Sequence, residues 1–361
     1  MRVLHVITKG DVGGAQTHVV ELAAEQHRRG TTVHVAAGCD GPAMDRLREA
    51  GIEVTILDHL GHSIAPRADR AAVRSIRSLI RTLQPDVVHA HSSKGGLLAR
   101  LAARREKVPS VYTAHGFPFQ AGAPFVQRVM SLAGEWVGGH VGGAVICLTP
   151  QEAALARRWH IASSAAIHVV PNGLPDTTAQ RVAVVGRPPR IVMVARFAPP
   201  KRQQDLIDVL ARLADLSWEM VFVGDGPMLA AAQQAASSLG ERVRFLGHRD
   251  DVQALLADCD VAVLWSGYEG MPIALMEAMR AGLCCVASDL PGVRALFGEP
   301  PAGLTAVDGN SLEHALRSVL TDTELLADSA TAARRRFVDS FTIERMVDEI
   351  DAIYADLHAP A

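Results

Sequence analysis

The stretch Arg2-Val3-Leu4-His5-Val6-Ile7-Thr8-Lys9-Gly10-Asp11-Val12-Gly13-Gly14-Ala15 decides the fold, because its character changes twice within fourteen residues. Val3 to Ile7 is a short apolar, β-rich run, glycines break it, and a helical pattern follows through Val19, Leu22 and Ala23. Strand, glycine loop and helix in that order open a βα unit. Gly13 and Gly14 at the helix start let backbone N–H groups approach an anion or a sugar with no Cβ in the way. A tight strand-to-helix turn explains the same glycines. The spacing is not the G-x-G-x-x-G of a dinucleotide site, although Asp40 stands after the second strand where a ribose-binding acid would sit.

Outward from this start, Thr32 to Ala36, Val54 to Leu57, Asp86 to Ala90, Ser110 to Thr113 and Ala144 to Leu148 read as further buried strands with helix-period segments between most of them. Alternation of this kind predicts an α/β fold with a parallel, doubly wound sheet. A loop rich in Pro and Arg precedes a second series, Ile191 to Val194, Glu219 to Val223, Val243 to Phe245, Val261 to Trp265 and Cys284 to Ala287. The expected division is a first domain over 1–173, a linker over 174–188, a second domain over 189–341 and a helical segment over 342–361 that is free to cross back to the first domain. Ile343, Met346, Ile350, Ile353 and Tyr354 lie on roughly one face of that last helix. A ligand held between two such domains would sit at the carboxyl ends of both sheets.

Composition agrees with two domains: 361 residues, 48% of them apolar, exceed the roughly 250 to 300 that one core serves. A net charge of −3 excludes a broadly basic nucleic-acid binder and a disordered acidic chain. No signal peptide or membrane span is expected, since charges or glycines interrupt every long apolar run. Five cysteines, at 39, 147, 259, 284 and 285, form no CxxC pair, which favours reduced thiols in a cytoplasmic protein and gives a zinc site little support.

Chemistry concentrates in Leu264-Trp265-Ser266-Gly267-Tyr268-Glu269-Gly270-Met271-Pro272-Ile273-Ala274-Leu275-Met276-Glu277. A buried strand ends at Trp265, a loop carries Glu269, Pro272 suits the first position of a new helix, and Glu277 lies within it. Two carboxylates can accept hydrogen bonds from polyol hydroxyls, and the helix N-terminus near Gly270 to Ile273 offers an anion site between them. That suits a nucleoside diphosphate sugar. A positive element, Arg196-Phe197-Ala198-Pro199-Pro200-Lys201, follows the first strand of the second domain, where Arg forks across phosphate oxygens and Lys adds a compact charge.

Together these pieces resemble the family-4 retaining glycosyltransferases of the GT-B fold, over nearly the whole chain. The matching motifs are Gly13-Gly14-Ala15, Val88-His89-Ala90-His91-Ser92-Ser93-Lys94, Thr113-Ala114-His115-Gly116, Pro171-Asn172-Gly173, Arg196 with Lys201, Gly224-Asp225-Gly226-Pro227, Phe245-Leu246-Gly247 and Glu269 with Glu277. The resemblance implies two Rossmann-like domains facing across a cleft. Arg196 and Lys201 would bind the donor diphosphate, Glu277 the ribose, and Glu269 with the Gly270, Met271, Pro272 and Ile273 backbone the donor sugar. His115 would stand near the sugar C1, and Gly14 near the diphosphate or acceptor. It further implies a UDP-sugar or GDP-sugar donor, a hexosyl or N-acetylhexosaminyl group transferred with retention, and no metal or other cofactor. Leu290-Pro291-Gly292 departs from a more usual Gly-Gly turn beside the glutamate pair.

Ser92-Ser93-Lys94-Gly95-Gly96-Leu97 with Thr113-Ala114-His115-Gly116-Phe117-Pro118-Phe119 resembles the subgroup that builds capsular and exopolysaccharides or undecaprenyl-diphosphate-linked glycans, which points to a lipid-linked or growing glycan acceptor. Pro66 to Val108 carries ten Lys/Arg against three Asp/Glu. Arg70, Arg74, Arg77 and Arg81 form a stripe that would meet either anionic lipid or water. Phe117, Phe119, Phe125, Val129 and Trp136 suit an acceptor groove, a membrane interface or the core. His89 and His91 are expected on opposite sides of a strand, so that at most one serves the site and no metal pair forms. Asp258-Cys259-Asp260 is read as structural. The rival functions are an NAD-dependent oxidoreductase using Asp40 and a non-catalytic nucleotide-sugar-binding subunit.

Overall fold

Runs buried on both faces form the strands, as all-parallel sheets covered by helices require. The computed structural model describes the chain apart from residues 12, 62–64, 118, 120–124, 183–185 and 359–361, and apart from the side chains of 125–127. Two units divide it, Met1–Pro175 with Ile343–Ala361 and Asp176–Thr342.

The first unit runs β1 (Arg2–Ile7), α1 (Gly14–Arg28), β2 (Thr32–Ala37), α2 (Pro42–Glu49), β3 (Glu53–Ile56), α3 (Pro66–Leu83), β4 (Val87–His91), α4 (Ser93–Glu106), β5 (Ser110–Ala114), α5 (Phe125–Val141), β6 (Ala144–Cys147), α6 (Pro150–Arg158) and β7 (Ile167–Val169). Its strands are parallel in the order β3-β2-β1-β4-β5-β6-β7. The order reverses between β1 and β4, so the crevice beyond their carboxyl ends is where a ligand belongs.

The second unit runs β8 (Arg190–Val194), α7 (Gln203–Arg212), β9 (Glu219–Val223), α8 (Leu229–Ala235), β10 (Val243–Phe245), α9 (Val252–Ala257), β11 (Val261–Leu264), α10 (Ile273–Ala281), β12 (Cys284–Ser288), α11 (Pro291–Phe297), β13 (Leu304–Ala306), α12 (Gly309–Thr321) and α13 (Thr323–Ser340). The parallel order β10-β9-β8-β11-β12-β13 repeats the scheme, with its reversal between β8 and β11. Arg181 and Arg187, in the stretch read as linker, pack on this unit through the Asp260 carboxylate.

The chain then returns to the first unit as α14 (Ile343–Asp356). Ile343, Met346, Val347, Ile350, Ile353 and Tyr354 are buried against Val3, Leu22, Val87, Val111 and Ile146, and each such side chain contributes about 1.5 to 3 kcal/mol when fully buried. Ile343 N–H donates to the Leu174 carbonyl at 3.0 Å, which pins the start of the helix beside the end of the first unit's main segment. The sequence reading missed β7 and β13, edge strands of three residues each, while β10, an edge strand of the same length, was read as one. Phe117 and Phe119 are core residues, stacked at 5.1 Å and packed with Tyr112 and Ala114, not a groove or membrane edge; the Phe125 side chain lies outside the described residues.

Candidate active site

In the second unit the site grows from the loops that follow β8 and β11. The β8 loop is braced from below: Phe197 N–H donates to the Asp225 carbonyl at 2.9 Å and Met228 N–H to the Phe197 carbonyl at 2.9 Å. Gly226 has φ 151°, and a Cβ there would stand 2.5 Å from the Phe197 carbonyl oxygen, so only glycine lets the Gly224-Asp225-Gly226-Pro227 turn support the Arg196 loop. Gln203 Nε2 donates to the Arg196 carbonyl at 2.9 Å, leaving the Arg196 side chain exposed.

Lys201 is bridged to Ser266 across the two loops. Arg202 N–H donates to the Trp265 carbonyl at 3.0 Å and Gly267 N–H to the Pro200 carbonyl at 2.9 Å. The bridge aims Lys201 Nζ at Glu269, and the two form an ion pair with both side chains largely buried. Glu269 and Gly270 are held from the other side by Gly292, where a Cβ would stand 1.7 Å from the Gly270 carbonyl oxygen. The Leu290-Pro291-Gly292 departure therefore lies directly against the acidic loop. Helix α10 begins at Ile273 with Pro272 as its N-cap, one place before the helical position expected, and with no side-chain cap. Its N-terminus carries partial positive charge immediately after Glu269 to Met271. Glu277 is half-buried one turn into α10.

In the first unit the β1–β4 switch point holds a cluster of histidines. His89 and His91 lie on the same side of β4 with rings stacked at 4.3 Å, which corrects the expectation of opposite faces: side chains alternate with period two, so residues two apart share a face. His5 on β1 is the register partner of His89, and His18 on α1 and His115 after β5 complete the group. His5 Nδ1 meets His91 Nε2 at 3.1 Å, and His91 Nδ1 meets His115 Nε2 at 3.3 Å. His89 lies between the Tyr354 hydroxyl at 2.5 Å and Thr113 Oγ1 at 2.7 Å. Burial pushes the His5 and His18 imidazoles down to about 4 and holds His89, His91 and His115 well below the ordinary histidine value. All five are neutral at physiological pH.

His5-His89-His91 and His18-His91-His115 each bring ring nitrogens within 4.8 Å of one another. A metal would compete for lone pairs that the hydrogen bonds already use. His18 Nδ1 meets Asn172 Oδ1 at 2.9 Å, which gives the Pro171-Asn172-Gly173 motif a positioning task. His18 Nε2 is buried with no hydrogen-bond partner among the described residues. Gly14 is exposed at the first turn of α1. Ser92, at the β4–α4 turn, has φ 65° and shares a hydrogen bond with Thr8 at 3.0 Å.

The structure thus gathers Lys201 with Glu269 in one unit and His115 with His91 in the other. The sequence reading missed His5, His18, Gln26, Tyr354 and Asp351. A usable signal existed on α1, where His18, Leu22 and Gln26 repeat every fourth residue on the inward stripe. Asp40, the acid a dehydrogenase would need, is engaged by Arg48 at 2.9 and 3.0 Å. Asp260 accepts from Arg181, Arg187 and the Arg190 N–H, and Asp258 pairs with Arg190, so both have structural partners.

Comparison with known proteins follows the same division. Residues 13–173 match the family model described as Glycosyl transferase 4-like domain, and residues 176–336 that described as Glycosyl transferases group 1. The UDP-Gal:alpha-D-GlcNAc-diphosphoundecaprenol alpha-1,3-galactosyltransferase of Escherichia coli is 27% identical over 341 residues, covering 88% of this chain and 87% of that one. A phosphatidyl-myo-inositol mannosyltransferase of Mycobacterium leprae is 29% identical over 344 residues, covering 90% and 89%. Among solved structures, Anabaena HepE in complex with UDP and glucose has a TM-score of 0.82 at 21% identity, over 98% of this chain and 99% of that one. Sucrose-phosphate synthase from Thermosynechococcus elongatus has a TM-score of 0.83 at 19% identity, over 99% of each chain.

The two doubly wound parallel sheets have the GT-B architecture, and the family models and relatives make the chain a glycosyltransferase, an enzyme that moves a sugar from a nucleotide diphosphate sugar to an acceptor. Within that class the chain is related to the family-4 and group 1 glycosyltransferases, one model matching the main segment of the first unit and the other most of the second.

Proposed function

We propose that the enzyme transfers a hexosyl or N-acetylhexosaminyl group from a UDP-sugar, with a GDP-sugar as the second choice, to a hydroxyl of a lipid-linked or growing polysaccharide, with retention of configuration and without a metal. The observation that carries this reading is the Lys201–Glu269 ion pair at the β8–β11 switch point. Lys201, Arg196 and the uncapped start of α10 supply positive charge where a diphosphate leaving group builds negative charge. Glu269 and Glu277 accept from sugar and ribose hydroxyls. Gly14 and His115 of the first unit are assigned to the diphosphate or acceptor and to the donor sugar. In the step itself the acceptor oxygen bonds to C1 on the face from which the C1–O bond to phosphate breaks, and the departing phosphate oxygen takes the acceptor proton.

The donor and acceptor classes are supported by the relatives' names, one with UDP-Gal and a diphosphoundecaprenol-linked acceptor, another acting on phosphatidyl-myo-inositol. Contact with anionic membrane is part of the reading. Helices α3, α4 and α5 pack side by side, exposing Arg70 and Arg74 on α3 and Val129, Met130, Trp136 and Val137 on α5. Arg77 and Arg81 are both held by Glu106, which leaves half of the expected stripe for lipid. No helix among the described residues is long and apolar enough to cross a membrane. The test is donor consumption from a panel of UDP-, GDP- and ADP-sugars with a membrane extract as acceptor. Consumption of a UDP- or GDP-sugar that requires the extract and yields a lipid-extractable, α-linked product from an α-linked donor is expected; an inverted product would overturn the stereochemical part.

A further inference from the structure

A chain of buried hydrogen bonds leads from His115 to the C-terminal helix. His115 Nε2 meets His91 Nδ1 at 3.3 Å, His91 Nε2 meets His5 Nδ1 at 3.1 Å, His5 Nε2 meets Gln26 Oε1 at 3.0 Å, and Gln26 Nε2 donates to Asp351 Oδ1 at 2.9 Å. His5, His91 and Gln26 are fully buried, so no water substitutes for a link.

The chain has only one consistent direction. An ionised carboxylate accepts and never donates, so Gln26 must turn its amide NH2 to Asp351 and its oxygen to His5. That oxygen requires a proton on His5 Nε2. A neutral imidazole then has a bare Nδ1, which requires a proton on His91 Nε2. By the same step His91 Nδ1 is bare and His115 must carry its proton on Nε2. The reverse direction would set the Gln26 oxygen against the Asp351 oxygen. Burial raises the Asp351 carboxyl, while the Gln26 amide and the Arg29 guanidinium favour its ionised form.

We infer that Asp351 and Gln26 are positioning residues that set the tautomer of His115 through His5 and His91, so that His115 offers Nδ1 as a hydrogen-bond acceptor. Which nitrogen of a histidine is protonated is set by what its other nitrogen meets; here that influence passes through three rings and ends on a helix supplied by the last residues of the chain. The mechanistic use of this acceptor rests on the reading of His115 as a residue of the transfer site, whereas the tautomer itself does not.

The test is long-range 1H–15N correlation of the full-length protein labelled at histidine. His5, His91 and His115 are each expected as Nε2–H tautomers, and a proton on His115 Nδ1 in the wild-type protein would overturn the inference without any variant. Asp351→Asn removes the group that forces the direction, since Asn presents either an acceptor or a donor. The His115 signals should shift toward a mixture, and kcat should fall about tenfold, the low end of what loss of a histidine-orienting partner costs, with donor KM within about twofold. Asp351→Glu should restore the wild-type tautomer. An unshifted His115 in a folded Asp351→Asn protein sinks the inference. A shifted tautomer with unchanged kcat upholds it and instead removes His115 from the mechanism.

Discussion

Lys201 Nζ and the Glu269 carboxylate, 68 residues apart in the chain, form an ion pair where the β8 and β11 loops meet. Glu269 both balances the lysine and limits where it can point, while the Lys201–Ser266 bridge holds the two loops in register. A sugar diphosphate binding here would find its lysine already oriented, so that little reorganisation remains when charge develops.

Lys201→Ala should lower turnover at least tenfold, within reach of the roughly 10²- to 10³-fold commonly lost with one preorganised donor. The substitution also leaves the largely buried Glu269 carboxylate without its partner, so the thermal midpoint should fall, and turnover is compared at a temperature where the variant is folded. Steady-state kinetics beside a melting curve check this, and wild-type turnover in the folded variant would remove Lys201 from leaving-group stabilisation.

Glu277→Ala should act on binding rather than on chemistry. Hydrogen bonds to a charged group contribute about 1.5 to 3 kcal/mol, so donor KM should rise about 10- to 100-fold while kcat stays within a few-fold. A kcat effect at unchanged KM would move Glu277 away from the ribose.

Stability should fall on acidification. His5 and His18 have folded values of about 4 against 6.5 when unfolded, and His89, His91 and His115 are also lowered by burial. Between those values the unfolded chain binds more protons, so unfolding free energy rises with pH and is lost as pH drops from about 6.5 toward 4. One such histidine accounts for about 3 kcal/mol at full extent. Glu152, raised by burial to about 7, works the other way, as do Glu135 and Asp351, but these are outnumbered. Urea midpoints at pH 7.5, 6 and 5 should decline in that order; a flat series would contradict neutral burial of the cluster.

Glu135→Ala should destabilise the first unit by about 3 to 5 kcal/mol, the usual cost of leaving a buried charge without its partner. Arg100 lies over the Tyr112 ring at 4.3 Å and 3.9 Å from Glu135, which accepts from the Tyr112 hydroxyl at 2.9 Å, and both charged side chains are almost wholly buried. Chemical denaturation measures it, and a loss below about 1 kcal/mol, the scale of an exposed pair, would show that Arg100 finds another partner.

Much of the fold was legible in one dimension. Buried parallel strands announce themselves as apolar runs between helical periods, and the glycine loops with the glutamates at 269 and 277 stood out as candidates for a diphosphate-sugar site through local chemistry and a family resemblance. What stayed illegible was short or remote. The edge strands β7 and β13 were passed over, and Gly292, noted only as a departure beside the glutamates, shows itself as the support of the Glu269 loop once α11 is packed against it.

The sequence by itself determined the alternation of strands and helices, the two sheets and the residue types placed at their carboxyl ends, because these depend on neighbours a few positions away. Tertiary structure alone decided which of those residues meet. His5, Gln26, His91, His115 and Asp351 come from a strand, a helix, a strand, a loop and the returning α14. Only parallel register and the docking of that last helix bring them within hydrogen-bonding distance, and a bond between groups hundreds of residues apart is written nowhere in local sequence.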